Sequence, residues 1–134
     1  MVDKYLYVYK SELVRVIDGD TAIVTIDLGF DVKITRTIRL ADIDTPELKG
    51  ETEKEQQAAE IARVKLFKEL ANKEIFLCSM KIKKDMYNRY LGVLYSDSYN
   101  INEKLLEEGY AKEYKNCKPK WYEKDFDKII QIGG

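Results

Sequence analysis

"ELVRVIDGDTAIVTIDLG", Glu12 to Gly29, decides the fold. β-Branched residues recur on both sides of Asp18-Gly19-Asp20, and Asp-Gly between such runs is a strong turn signal. The stretch therefore reads as two antiparallel strands. A second turn at Gly29 leads into "VKITRTIRLADI", Val32 to Ile43, again rich in Ile, Val and Thr, so the first half of the chain is a β-meander. Ahead of it, "YLYVYK" alternates Tyr5, Tyr7 and Tyr9 against Leu6 and Val8, the period of a half-buried first strand with an aromatic face.

The period then changes. Within "TPELKGETEKEQQAAEIARVKLFKELANK", Thr52 and Glu55 fit a capping box, and Ala59, Ala62, Leu66 and Leu70 fall on one helical face with Phe67 beside it. A long amphipathic helix ending near Asn72 is expected. "EIFLCSMKI" and "YLGVLYS" add two strands joined by the polar stretch "KKDMYNR". Asn100 and Glu103 can cap a short helix carrying Ile101, Leu105 and Leu106, with Gly109 as its stop. Pro119 can open a last helix, because Tyr122, Phe126, Ile129 and Ile130 recur at helical spacing. The order β-β-β-α-β-β-α-α predicts an α+β, mainly β, domain: a five-stranded barrel of the oligonucleotide-binding type with three helices at its side. At 134 residues, 45% of them apolar, the chain is sized for one such domain spanning residues 1–134.

Composition excludes several chemistries. The chain contains no histidine, so nucleophilic triads, Cys-His pairs and most catalytic zinc sites are out of reach. Hydrolysis would have to rely on carboxylates, arginines, tyrosines and a hard metal ion. Cys78 and Cys117 are far apart and read as small thiols in or near the core. A formal net charge of -1 supplies no global field for a polyanion, so a nucleic-acid partner needs local positive charge. Lys81, Lys83 and Lys84, with Lys115, Lys118 and Lys120, are candidates for such patches, although a solvated lysine face is the favoured reading of each cluster taken alone. No run approaches a membrane span and no membrane partner is expected. The N-terminus lacks the apolar core of a signal peptide, which leaves a cytoplasmic protein or one exported after removal of a leader.

Acidic residues mark two corners of the barrel. Asp18 and Asp20 flank one turn, while "IRLADIDTPE" gathers Asp42, Asp44 and Glu47 where the third strand ends. Both the first and the third strand flank the second, so the corners can meet at one end. Crowded carboxylates repel unless a cation relieves them, and oxygen-only ligands suit Ca²⁺ or Mg²⁺. Turn-forming acids on a solvated rim are the alternative. Arg39 precedes the second corner and Arg89 the fifth strand, and a guanidinium fork suits a phosphate. Strict alternation would put Arg39 and Asp44 on opposite faces, so a bulge or barrel curvature is expected between them.

These residues resemble the staphylococcal nuclease (thermonuclease) family over roughly Leu13 to Tyr114. The likeness rests on "VIDGDT" (Val16–Thr21), "IRLADIDTPE" (Ile38–Glu47), "DMYNRYLGVLY" (Asp85–Tyr95) and "INEKLLEEGYAK" (Ile101–Lys112), four motifs in the family's order. The resemblance implies Ca²⁺ held by the carboxylates of Asp20 and Asp44 and the backbone carbonyl of Thr45, with Asp18 behind them. It implies Glu47 as the general base, Arg39 and Arg89 as phosphate-binding arginines, and Tyr87 and Tyr114 as nucleotide contacts. The implied reaction is hydrolysis of single-stranded or denatured DNA and of RNA by a monomer, giving 3′-phosphate ends. DNA or RNA preference and endo- or exonucleolytic cutting stay open. Met86 stands where staphylococcal nuclease has lysine, Tyr114 matches a tyrosine pair only loosely, and the chain is slightly acidic where that nuclease is basic. A nuclease-fold module that binds nucleic acid or protein without cutting is the alternative function.

Overall fold

The computed structural model describes residues 7–84 and 89–133, with side chains throughout these except at 80–84. Its elements are β1 (Val8–Asp18), β2 (Thr21–Gly29), β3 (Val32–Leu40), β4 (Ile43–Asp44), α1 (Glu53–Leu70), β5 (Ile75–Lys84), β6 (Tyr90–Ser96), β7 (Tyr99–Asn100), α2 (Ile101–Glu107), β8 (Lys112–Glu113) and α3 (Glu123–Gly133). β1, β2 and β3 form the expected meander, β5 and β6 pair antiparallel, and β5 returns to β1. β3 and β6 then run parallel, with Ile38 opposite Tyr90 and Leu40 opposite Gly92. That pairing closes a five-stranded mixed barrel and removes its edges.

Closure explains the burial of consecutive residues at the end of β3. Held between β2 and β6, the strand has Ile38, Arg39 and Leu40 all buried, and the last two abut the functional corner. The core is otherwise aliphatic, with Val24, Leu66, Leu77, Leu94 and Leu105 among its buried members. The tyrosine-bearing run is not a separate strand: from Val8 it continues through Asp18 as one strand with register irregularities, while Tyr5 lies outside the described residues.

The helices follow their caps. Thr52 accepts from the Glu55 N–H at 3.1 Å, and Asn100 accepts from the Glu103 N–H at 3.0 Å, as the capping pattern predicts. Gly109 ends α2 with a left-handed φ of 89°, a conformation glycine adopts at no steric cost. The buried face of α1 carries Ala58, Ala59, Ala62, Leu66 and Leu70, and Phe67 beside it is half exposed. One expectation needs correction. α3 begins at Glu123 instead of at Pro119. The intervening residues are engaged elsewhere, Lys120 through its carbonyl with Lys112 and Trp121 through its indole with Asp44.

One buried polar side chain ties a helix to the corner. Asn102 on α2 accepts from the Leu94 N–H at 3.2 Å and donates to the carbonyls of Ala41 at 3.0 Å and Gly92 at 3.1 Å. It therefore holds the chain just after β3 against β6. Losing those bonds would leave buried backbone groups unpaired, so Asn102→Ala should cost on the order of 3 kcal/mol in urea unfolding. A loss below about 1 kcal/mol would show that the latch is dispensable.

Candidate active site

The two acidic corners meet at one end of the barrel. Thr21 at the start of β2 lies opposite Arg39 near the end of β3, and the Leu40 N–H donates to the Asp20 carbonyl at 2.8 Å. Gly19 makes this approach possible. A Cβ there would lie 2.7 Å from Ala62 Cβ of α1 and 2.8 Å from Thr45 Oγ1, too close for any larger residue without movement. No bulge carries Arg39 and Asp44 to the same side. β3 ends at Leu40, Asp42 takes a left-handed φ of 65°, and Asp44 restarts the chain in β4, paired with β8. A turn resets the alternation.

Arg39 lies at the centre. Its Nη2 is 3.4 Å from Asp20 Oδ2 and 3.5 Å from Asp44 Oδ1, and its Nη1 donates to the Leu40 carbonyl at 2.8 Å. Asp20 is 6% exposed, Asp44 3% and Arg39 9%, so this is a buried charge group in which each member needs the others. Asp20 Oδ2 also accepts from the Thr45 N–H at 3.1 Å, and its Oδ1 from the Thr21 hydroxyl at 3.0 Å. Asp18 receives the Asp20 N–H at 3.1 Å. Burial, followed by the hydrogen bonding and charge of Asp18, pushes the Asp20 carboxyl up to about 6, against the opposing pull of Arg39 and the Thr45 N–H.

Glu47 and Arg89 complete the rim. The Glu47 side chain is 63% exposed, while Arg89 is half-buried with Nη1 3.4 Å from Thr21 Oγ1. Together with Asp18, Asp20, Arg39, Asp44 and Thr45 they line an open cleft of about 730 Å³, which Tyr114 also borders. Tyr87 and Met86 lie outside the described residues, as do the side chains of Lys81, Lys83 and Lys84. Asp18, Asp20, Arg39, Asp44, Thr45, Glu47, Arg89 and Tyr114 all reach this cleft, as do Lys115 and Lys118 of the second basic cluster, while Lys120 does not line it.

Two further neighbours touch the acids: Lys118, read from the sequence only as part of a basic cluster, and Trp121, which the sequence reading did not single out. Lys118 Nζ lies 3.3 Å from both Asp44 Oδ1 and Glu47 Oε1. Burial opposes its charge, yet Asp44 and Glu47 outweigh that and hold the ammonium above its ordinary value. Trp121 Nε1 donates to Asp44 Oδ2 at 2.7 Å. The available signal was weak: a lone tryptophan after Lys118-Pro119-Lys120, ahead of the amphipathic run that forms α3. Among the described residues, no three acidic, cysteine or histidine side chains converge enough to hold a metal ion by themselves, and no helix is long and apolar enough to cross a membrane.

A closed barrel of the oligonucleotide-binding type, with buried carboxylates and two arginines around one mouth, defines the class. A family model for staphylococcal nuclease homologues matches residues 37–131. The chain belongs to the staphylococcal nuclease family. It is 31% identical over 116 residues to a micrococcal nuclease of Shigella flexneri, covering 80% of this chain and 59% of that protein. A thermonuclease of Staphylococcus hyicus is 33% identical over 101 residues, covering 75% of this chain and 57% of that protein. An uncharacterized protein of Methanocaldococcus jannaschii is 33% identical over 128 residues, with 79% and 59% covered. The chain thus spans less than two thirds of the length of these relatives.

The raised carboxyl of Asp20 has a signed consequence for stability. A group whose pKa is higher folded than unfolded adds stability below its unfolded value, near 3.8, and loses it as pH rises through about 6. A rise of that size corresponds to roughly 3 kcal/mol. In urea unfolding with a chelator present, Asp20→Asn should gain about that much relative to the wild type between pH 4 and pH 7. A pH-independent difference between the two proteins would contradict this.

Proposed function

We propose that the domain acts as a monomer and hydrolyses phosphodiester bonds in single-stranded or denatured DNA and in RNA, using water as nucleophile and Ca²⁺ as cofactor. The observation that carries the reading is the meeting of Asp20, Arg39, Asp44, Glu47 and Arg89 around one open cleft, all supplied by a single chain. Membership of a family whose named relatives include nucleases gives it further support.

The donor set fits a hard cation. Its candidate ligands are all oxygens, Asp20 and Asp44 are buried carboxylates, and Thr45 Oγ1 is buried beside them with no hydrogen-bond partner. Of the six to eight positions that Ca²⁺ takes, two carboxylates and the Thr45 backbone carbonyl would fill some, and the rest would go to water and substrate. Asp18 would act from behind, through its bond to the Asp20 N–H. When bound, the cation would supply charge stabilisation at a phosphoryl oxygen.

The chain's own residues do the rest. Glu47, exposed to solvent at the rim, orients a water and takes its proton, which requires the ionised carboxylate. Arg39 has five N–H donors and spends them on Leu40, Asp20 and Asp44 with donors to spare, so a phosphate oxygen can complete its set. Arg89 approaches from the β6 side of the mouth and adds a second guanidinium for the charge that builds on phosphorus. Water forms the new P–O bond as the 5′-oxygen leaves, which produces a 3′-phosphate and a 5′-hydroxyl. Tyr114 borders the cleft where a nucleotide would lie, and Tyr87 is proposed as a further nucleotide contact from sequence alone.

The test is digestion of heat-denatured DNA and of RNA, with added Ca²⁺ or with a chelator. Cutting should require Ca²⁺. Arg89→Ala should lower turnover by a factor on the order of 10² or more, as removal of a single transition-state donor does. Glu47→Gln should keep its circular dichroism spectrum and lose most activity. A near-wild-type rate for Arg89→Ala would remove that residue from the mechanism. Ca²⁺ binding with no cutting of either polymer would leave the non-cutting binding module as the better reading.

A further inference from the structure

Asp44 is held by more than its own strand. β4 and β8 pair with Asp44 opposite Lys112, and the two carboxylate oxygens then meet different partners. Oδ1 faces the cationic groups, 3.5 Å from Arg39 Nη2 and 3.3 Å from Lys118 Nζ. Oδ2 takes the Trp121 indole N–H at 2.7 Å, a short charge-assisted bond. An indole nitrogen only donates, so Trp121 can neither ligate a cation nor accept from Arg39. What it can do is fix the rotation of the carboxylate.

The ring is itself fixed. It stacks on Phe126 of α3 with centroids 6.0 Å apart and planes 8° from parallel. Lys112 Nζ lies 4.9 Å from the ring centroid and is anchored by the Lys120 carbonyl at 2.8 Å and Asp125 Oδ2 at 2.7 Å. The same residue that pairs with Asp44 in the backbone therefore clamps the side chain that orients its carboxylate.

We propose that Trp121 is the positioning residue for Asp44: by occupying Oδ2 it turns Oδ1 into the cleft and sets the affinity of the site for its cation. The inference rests on the Ca²⁺ reading above. Outer partners of metal-ligating groups typically control affinity by about 10- to 100-fold, through orientation of the ligand they hold. Lys118, three residues earlier, places its ammonium against that same Oδ1, so cation binding exchanges Lys118 for the ion and alters the charge beside the indole. Trp121 is the only tryptophan in the chain, so its emission should follow that exchange directly.

Calorimetric titration of Ca²⁺ into the wild type and into Trp121→Phe, which keeps a ring against Phe126 but loses the N–H, tests the proposal. The variant should bind Ca²⁺ about 10-fold or more weaker, with little change in Tm. Wild-type tryptophan emission should change over the same Ca²⁺ range as the heat, and the change should vanish in Asp44→Asn. Equal affinity of the two proteins would overturn the role of Trp121 and leave the Ca²⁺ reading standing. A wild type that binds no Ca²⁺ overturns both. If Trp121→Phe fails to fold, emission that stays constant while calorimetry shows saturation overturns the proposal by itself.

Discussion

The functional end of the barrel depends on one guanidinium placed between two buried carboxylates. Asp20 and Asp44 come from different corners of the chain and would repel each other there; Arg39 lies within 3.5 Å of both. Removing one member of such a group leaves an uncompensated buried charge, which is far costlier than never having built it. Barrel closure makes the placement possible. Because β3 is bonded to β2 on one side and β6 on the other, Arg39 is buried near its end and the guanidinium is directed by its bond to the Leu40 carbonyl.

Around that centre the acid-bearing turn is gripped from two sides. Asn102 pins its start by the bond to the Ala41 carbonyl, and Trp121 pins its end by the bond to Asp44. The turn between them contains a left-handed Asp42, whose carbonyl takes the Tyr114 N–H at 2.9 Å. Three segments distant in sequence, β6 with α2, the stretch around β8, and the strap before α3, thus determine where a single carboxylate points. Precise placement of few groups is what phosphoryl chemistry needs, since positioning and electrostatic stabilisation supply most of the rate.

The meander and the helix starts were readable in the sequence because their causes are local. Asp18-Gly19-Asp20 turns the chain, Thr52 and Asn100 cap the helices that follow them, and Gly109 stops α2. The parallel β3–β6 pairing has no local signal, yet it closes the barrel. Pro119 suggested a helix start from local preference, but the bonds of Lys120 and Trp121 hold the following residues outside the helix until Glu123. In the same way Arg39, Asp44 and Glu47 were legible as residue types in a motif. The left-handed Asp42 that brings Arg39 and Asp44 together, and the Lys118 and Trp121 contacts to Asp44, depend on tertiary structure that spacing does not encode.

In the proposed reaction this cleft directs water onto phosphorus with departure of the 5′-oxygen. That step is tested most directly by digesting a defined single-stranded oligonucleotide in ¹⁸O-labelled water with Ca²⁺ and weighing the products by mass spectrometry. One ¹⁸O atom per cut is expected, carried on a 3′-phosphate, with an unlabelled 5′-hydroxyl on the other fragment. Label on a 5′-phosphate, or an oligonucleotide left intact, would contradict that step.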